Sequence, residues 1–198
     1  MLMNIFKTIG LFLFIALLSA NTTDRKKPVS SLGRVILDFS LKNTDGHMVS
    51  LSQNTTAKGY IIVFTCNHCP FAKLYGQRLN DLNNTFTQLG MPLLAINSMD
   101  TAMYEEERFS SMNDKSINEK FNFPYLYDAT QTIGKMFGAA HTPQVFIIWR
   151  QNNAWVVKYS GAIDDNGEHP KQATSFVAKA ANQLLNNQPI TQPETESF

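Results

Sequence analysis

Two cysteines stand three positions apart in Cys66-Asn67-His68-Cys69-Pro70, and the chain holds no others. A thiol can serve as nucleophile, metal ligand or half of a disulfide, and its surroundings decide which. Two intervening residues let one turn of helix bring the sulfurs within bonding distance without distortion. The pair follows Tyr60-Ile61-Ile62-Val63-Phe64, a continuous β-branched and aromatic run of the kind buried on both faces of a sheet. It precedes a helical pattern. A helix N-terminus presents free N–H groups and positive potential, which would stabilise a thiolate on Cys66. Pro70 suits a first helical turn, where its missing N–H is no loss, and His68 is a neighbouring cation that would stabilise the thiolate further. A stabilised thiolate favours the reduced form, so the sequence predicts a reduction potential more positive than about −270 mV.

Two other chemistries fit the same residues. A structural disulfide is one, although closing so short a loop adds little stability. Half of a zinc site is the other, but there is no second cysteine pair and only four His are available. Thr142-Pro143, directly before the apolar run Val145 to Trp149, adds a feature that favours exchange chemistry. A proline opening a strand gives up one donor, which is tolerated at that position. If the bond is cis, as about 5% of X-Pro bonds are, the backbone of Thr142 is exposed beside the cysteines, where it can pair with an extended substrate segment.

The elements that must position these groups are readable from periodicity. Val35 to Ser40 and Met48 to Leu51 flank Asn43-Thr44-Asp45-Gly46, and Asp-Gly between such runs signals a hairpin. From Pro70 to Leu89 the residues Phe71, Leu74, Tyr75, Leu79, Leu82 and Phe86 recur at threes and fours, which predicts an amphipathic helix closed by Gly90. Met91 to Ile96 reads as a second buried strand. Residues 102–121 read as a helix with Glu105-Glu106-Glu107 in its early turns, where the dipole favours anions and the run reads as a solvated face. A short strand Tyr125 to Tyr127, a small helix Thr130 to Phe137 closed by Gly138, and the pair Val145 to Trp149 and Trp155 to Tyr159 follow. A last helix spans 170–186. The order is hairpin, β, α, β, α, then β-β-α, an α/β layered sheet of mixed direction.

Residues 1–20 have the layout of a secretory signal peptide: Lys7 near the start, an apolar run from Ile9 to Leu18, and Ser19-Ala20 before a polar turn. The apolar run is short for a bilayer core of about 30 Å. Its removal takes one basic residue and no acid from totals of 17 and 16, leaving a neutral chain. No charge excess points to nucleic acid or an acidic membrane, and 14 Phe with 17% charged residues argue against disorder. Residues 21–33 read as a linker, 34–187 as one domain, and 188–198 as a polar tail. Export would place both cysteines in an oxidising compartment, periplasmic or extracellular, with no membrane anchor after cleavage.

The hairpin, the strand–CxxC–Pro–helix unit, Ala95-Ile96-Asn97-Ser98, Phe123-Pro124-Tyr125-Leu126-Tyr127-Asp128, Thr142-Pro143 and Gly161-Ala162-Ile163-Asp164-Asp165 together resemble the thioredoxin-like redoxins. The resemblance is to the AhpC/TSA, peroxiredoxin-like group whose members show Cys-Asn-His-Cys-Pro, and it covers residues 33–196. It implies a thioredoxin-like fold, Cys66 as nucleophile, Cys69 as resolving thiol and Pro143 as the cis-proline. Three departures stand out. His141 occupies a position where members often carry Cys. The Pro193-Glu194-Thr195 stretch does not run on into Gly-Cys. Gly59 and Val63 stand where true peroxiredoxins place Pro and Thr, which disfavours peroxidase activity. Thioredoxins also keep a buried acid near their CxxC, and Tyr60 to Thr65 supplies none, leaving His68 or water to move the proton of Cys69.

The expected function is an exported thiol–disulfide oxidoreductase. Cys66, Cys69 and His68 would be catalytic, and Thr142 and Pro143 would hold the substrate backbone. The redox-active disulfide Cys66–Cys69 would take the place of a cofactor. Substrates would be protein thiols and disulfides, with a reductase or oxidase as redox partner. One rival is a metal module in which Cys66, Cys69 and His141 form a Cys2His set suited to Cu(I) or Zn. The others are a thiol peroxidase and a non-catalytic binding protein.

Overall fold

The computed structural model describes residues 30–197. The expected signal peptide 1–20 and residues 21–29 of the linker lie outside them. No helix of the described residues is long and apolar enough to cross a membrane.

Eight strands form one sheet. They are β1 (Val35–Ile36), β2 (Ser40–Asn43), β3 (Met48–Ser50), β4 (Gly59–Phe64), β5 (Leu93–Asn97), β6 (Tyr125–Tyr127), β7 (Gln144–Gln151) and β8 (Ala154–Gly161), in the spatial order β1-β8-β7-β4-β5-β6-β2-β3. β4, β5 and β6 run parallel, with Ile62 opposite Leu94 and Ile96 opposite Leu126, while β7 is antiparallel to β4. All six residues of β4 are buried, as a continuous apolar run requires of a central strand. Strand alternation then divides the core in two. Ile61 and Val63 join Leu79, Met112 and Val177 on one face, and Tyr60, Ile62 and Phe64 join Ile133, Phe137 and Trp155 on the other. The helices are α1 (Pro70–Lys73), α2 (Gly76–Thr87), α3 (Phe109–Asn118), α4 (Thr132–Phe137) and α5 (Phe176–Leu185), so both sheet faces are covered.

Four elements differ from the sequence expectation. The hairpin at Asp45-Gly46 is present as β2–β3, but its first arm starts at Ser40; Val35 and Ile36 pair instead with Val156 and Trp155 of β8. The helix expected from Pro70 to Leu89 breaks after Lys73, and Leu74 caps α1 before α2 starts at Gly76. A side chain at 76 would collide with the Glu119 carboxylate, so glycine there admits a close approach of the 118–121 turn. The break leaves Phe71 and Leu74 exposed, while Tyr75, Leu79, Leu82 and Phe86 keep the core stripe. The helix expected over 102–121 is a single 3-10 turn, Glu105–Glu107, followed by α3. The last helix starts at Phe176, with the Ser175 hydroxyl accepting from the Ala178 N–H, rather than at 170.

Both ends of the described residues are held to the sheet. The Gly33 N–H donates to Val157 O at 2.9 Å, so the last residues of the expected linker already belong to the fold. In the polar tail, Glu194 bridges to Ser160, and the Thr195 hydroxyl contacts the Tyr159 hydroxyl at 2.7 Å and accepts from the Ala162 N–H at 2.8 Å.

Candidate active site

β4 ends at Phe64, and the chain leaves the sheet edge through Thr65 into Cys66-Asn67-His68-Cys69. Separated from β4 by two strands in the chain but adjacent to it in the sheet, β7 starts at Gln144, opposite Phe64. That pairing places the segment before β7 against the cysteines. The Thr142–Pro143 peptide bond is cis, and Thr142 touches both sulfurs. Its hydroxyl lies 3.2 Å from Cys66 Sγ, and the Cys69 thiol donates to its carbonyl oxygen at 3.2 Å. Both cysteines are free thiols; Cys66 is buried and Cys69 is partly exposed.

The helix begins at Pro70, as the sequence predicts. Cys69 is the N-cap of α1, so Cys66 stands ahead of the first helical turn. Two of the N–H groups of the turn are taken by another anion. Glu107, fully buried, accepts from the Asn67 N–H at 2.9 Å, the His68 N–H at 2.8 Å and the Asn97 side-chain amide at 2.6 Å, and it meets His68 Nδ1 at 2.6 Å. Burial opposes the charged form of this carboxyl, but the donors outweigh it and hold Glu107 below its ordinary value. Asn67 ties the turn down further: its side-chain amide donates to Glu106 O at 2.6 Å, and its carbonyl accepts from the Tyr125 hydroxyl at 2.9 Å. Tyr104 stacks on the His68 ring, 4.1 Å between centroids and 8° from parallel.

This arrangement reverses the expectation for Cys66. Burial pushes its thiol up to about 11, with the Glu107 charge and the adjacent Cys69 acting in the same sense, against the hydrogen bonds from Thr142 and the Cys69 N–H. Two of the donors expected to stabilise a thiolate, the Asn67 and His68 N–H groups, stabilise Glu107 instead, while the Cys69 N–H stays with Cys66. The reason for expecting a potential above about −270 mV is thereby removed.

Glu107 is the functional residue that sequence reasoning missed. It belongs to the run expected to be a solvated helix face, and Glu105 and Glu106 are indeed exposed. The acid absent from β4 is supplied from a different segment. One signal was present: Tyr104 and Glu107 are three apart, which puts both on one side of a turn, and both meet His68.

The Cys66, Cys69 and His141 metal set is not assembled. Among the described residues, the one group of three such ligand types within 4.8 Å of one another is Cys66, His68 and Glu107. Both oxygens of that Glu107 already accept N–H donors. His141 is exposed and lines a groove of about 330 Å³ that Thr142 also lines. Thr65, Ser98, Met99 and Lys135 line it as well.

A model of the AhpC/TSA family matches residues 32–162. No curated protein matches the chain. Among solved structures, an uncharacterised conserved protein of Geobacillus kaustophilus is 32% identical, with 84% of this chain and 87% of that one covered and a TM-score of 0.74. A hypothetical protein of Sinorhizobium meliloti is 26% identical over 86% of this chain and 92% of that one, with a TM-score of 0.78. Peroxidoxin BcpB of Mycobacterium tuberculosis, 17% identical over 79% of this chain and 94% of that one with a TM-score of 0.55, shares the fold. The fold is thioredoxin-like.

Proposed function

Since the chain belongs to the AhpC/TSA family of thioredoxin-like redoxins, we propose that it is a thiol–disulfide oxidoreductase whose working pair is Cys66 and Cys69. The observation that carries this reading is the contact of Thr142, next to cis Pro143, with both sulfurs at 3.2 Å. A client segment pairing with that backbone would present its disulfide to the pair.

In the reductive direction, the thiolate of one cysteine attacks a client sulfur, and the client S–S bond breaks. The client's second sulfur leaves as a thiolate and takes a proton from water. The other cysteine then loses its proton, attacks its neighbour's sulfur and breaks the mixed disulfide. Two electrons have passed to the client, and the chain carries a Cys66–Cys69 disulfide that a redox partner must reduce. In this reading His68, whose Nδ1 meets Glu107, carries the proton. The raised Cys66 thiol, buried beside Glu107, supports a pair that works as a reductant rather than as an oxidant. An exported chain of this kind would act on disulfides in the periplasm or outside the cell.

The two single-serine variants test the reading. The family pattern implies that Cys66 attacks, so Cys69→Ser would hold the mixed disulfide. The burial of Cys66 and partial exposure of Cys69 favour the opposite order, in which Cys66→Ser holds it. Either variant trapping a disulfide-linked model peptide supports exchange chemistry and assigns the order; trapping by neither overturns it. A thiol peroxidase is the second reading. It is favoured by a single observation, the Thr142 hydroxyl beside Cys66 in place of one from Val63, and turnover of hydrogen peroxide would establish it.

A further inference from the structure

The groove of about 330 Å³ shares Thr142 with the sulfur pair and runs from there past Ser98 and Met99 to α4. Its volume is at the low end for ligand sites of about 300–1,000 Å³, enough for a small molecule or a few residues of an extended chain. Its charge is one-sided. Among its lining residues there is no acid, and the groups that can carry charge are Lys135 and His141, both exposed. No described carboxylate pairs with either of them. Asp128 is fully buried, where its Oδ2 accepts from the Ser98 hydroxyl and the Ile133 and Gly134 N–H groups. Thr142 meets both sulfurs and lines the groove together with Lys135 and His141, so a substrate that extends from the sulfurs along Thr142 into the groove meets an unpaired ammonium and an imidazole.

We infer that this groove is a substrate subsite for disulfides that carry a carboxylate close to the reacting sulfur. The inference rests on the exchange reading given above and adds to it a preference among substrates. Lys135 acts as a point charge that lowers KM for anionic disulfides. The apolar walls from Met99, Ala139 and Ala140 take the methylene groups between sulfur and carboxylate. The same chemistry can come from a low-mass thiol bearing carboxylates or from a polypeptide with Asp or Glu beside its cysteine.

The test uses three small disulfides that differ in charge: dithiodiglycolate, hydroxyethyl disulfide and cystamine. The rate with each is divided by its rate with free dithiothreitol, which removes intrinsic reactivity. The expected order of normalised kcat/KM is anionic, neutral, cationic, with about a threefold to tenfold spread between the ends that narrows in high salt. Lys135→Glu is expected to invert the order of anionic and cationic disulfides, and His141→Ala to reduce the anionic preference. Two model peptides with Asp or Lys beside the disulfide separate the sources. A matching preference among peptides assigns the site to polypeptide substrates, and one confined to the small disulfides assigns it to low-mass ones. Equal normalised rates, or a preference that survives Lys135→Glu, overturn the subsite while leaving exchange intact. No exchange with any of the three overturns the exchange reading and the subsite together.

Discussion

Glu107→Gln should make Cys66 more acidic, and the size of the effect follows from the site. Cys66 Sγ and a Glu107 carboxylate oxygen lie within 4.8 Å. Two unit charges at that separation repel by about 3.5 kcal/mol at an effective dielectric constant of about 20. At about 1.36 kcal/mol per pKa unit this corresponds to about 2.5 units. The actual share is smaller, because burial ranks ahead of Glu107 in raising the thiol to about 11. We expect a fall of about one unit, equivalent to about a tenfold larger thiolate fraction at pH 7. The potential at pH 7 should stay nearly constant, because a thiol titrating at about 10 or 11 is almost wholly protonated in the reduced protein either way. The thiol is titrated by thiolate absorbance in a Cys69→Ser background, and the potential is measured in the two-cysteine protein. Circular dichroism checks that the variant folds, since Gln presents one acceptor to donors that now share two. A thiol value that stays put, or that rises, in a folded variant would refute the claim that Glu107 holds Cys66 protonated.

The low value of the Glu107 carboxyl also predicts an acid limb of stability. Its contribution is complete above its ordinary value of 4.5 and is lost as pH falls through the lower folded value; urea unfolding between pH 6 and 3 should show this slope, flattened in Glu107→Gln. Thr142→Val removes the hydroxyl that lowers the Cys66 thiol, so alkylation of Cys66 at pH 8 should slow several-fold while the fold is unchanged. Arg78 pairs with Asp164 at 2.5 Å and donates to the carbonyls of Asn166 and Gly167. Arg78→Ala leaves the nearly covered Asp164 without its cation and should cost about 3–5 kcal/mol in chemical denaturation. A loss under 1 kcal/mol would show that solvent reaches that carboxylate.

Local pattern was enough for much of this protein. The apolar run Tyr60 to Phe64, the Asp45-Gly46 turn and the αL glycine at 138 are written in neighbouring residues, because strand alternation, turn chemistry and helix ends depend on backbone sterics within a few positions. The Cys66-x-x-Cys69 spacing and the Thr142-Pro143 pair likewise identified which residues to watch. What local pattern could not supply is which distant group meets them. Glu107 reaches the turn from about 40 positions along the chain, and Thr142 reaches Cys66 from 76. A run of three acids is compatible with water on every member, and only the packing of the 104–107 turn under Asn67 and His68 selects the third for burial. The start of α1 at Pro70 was legible, but its end at Lys73 was not, since the apolar periodicity runs on to Leu89 across the break before Gly76. The charge state of the site therefore belongs to the fold. The same four residues beside free helix N–H groups would favour a thiolate, whereas beside an acid that has claimed two of those donors they favour a thiol.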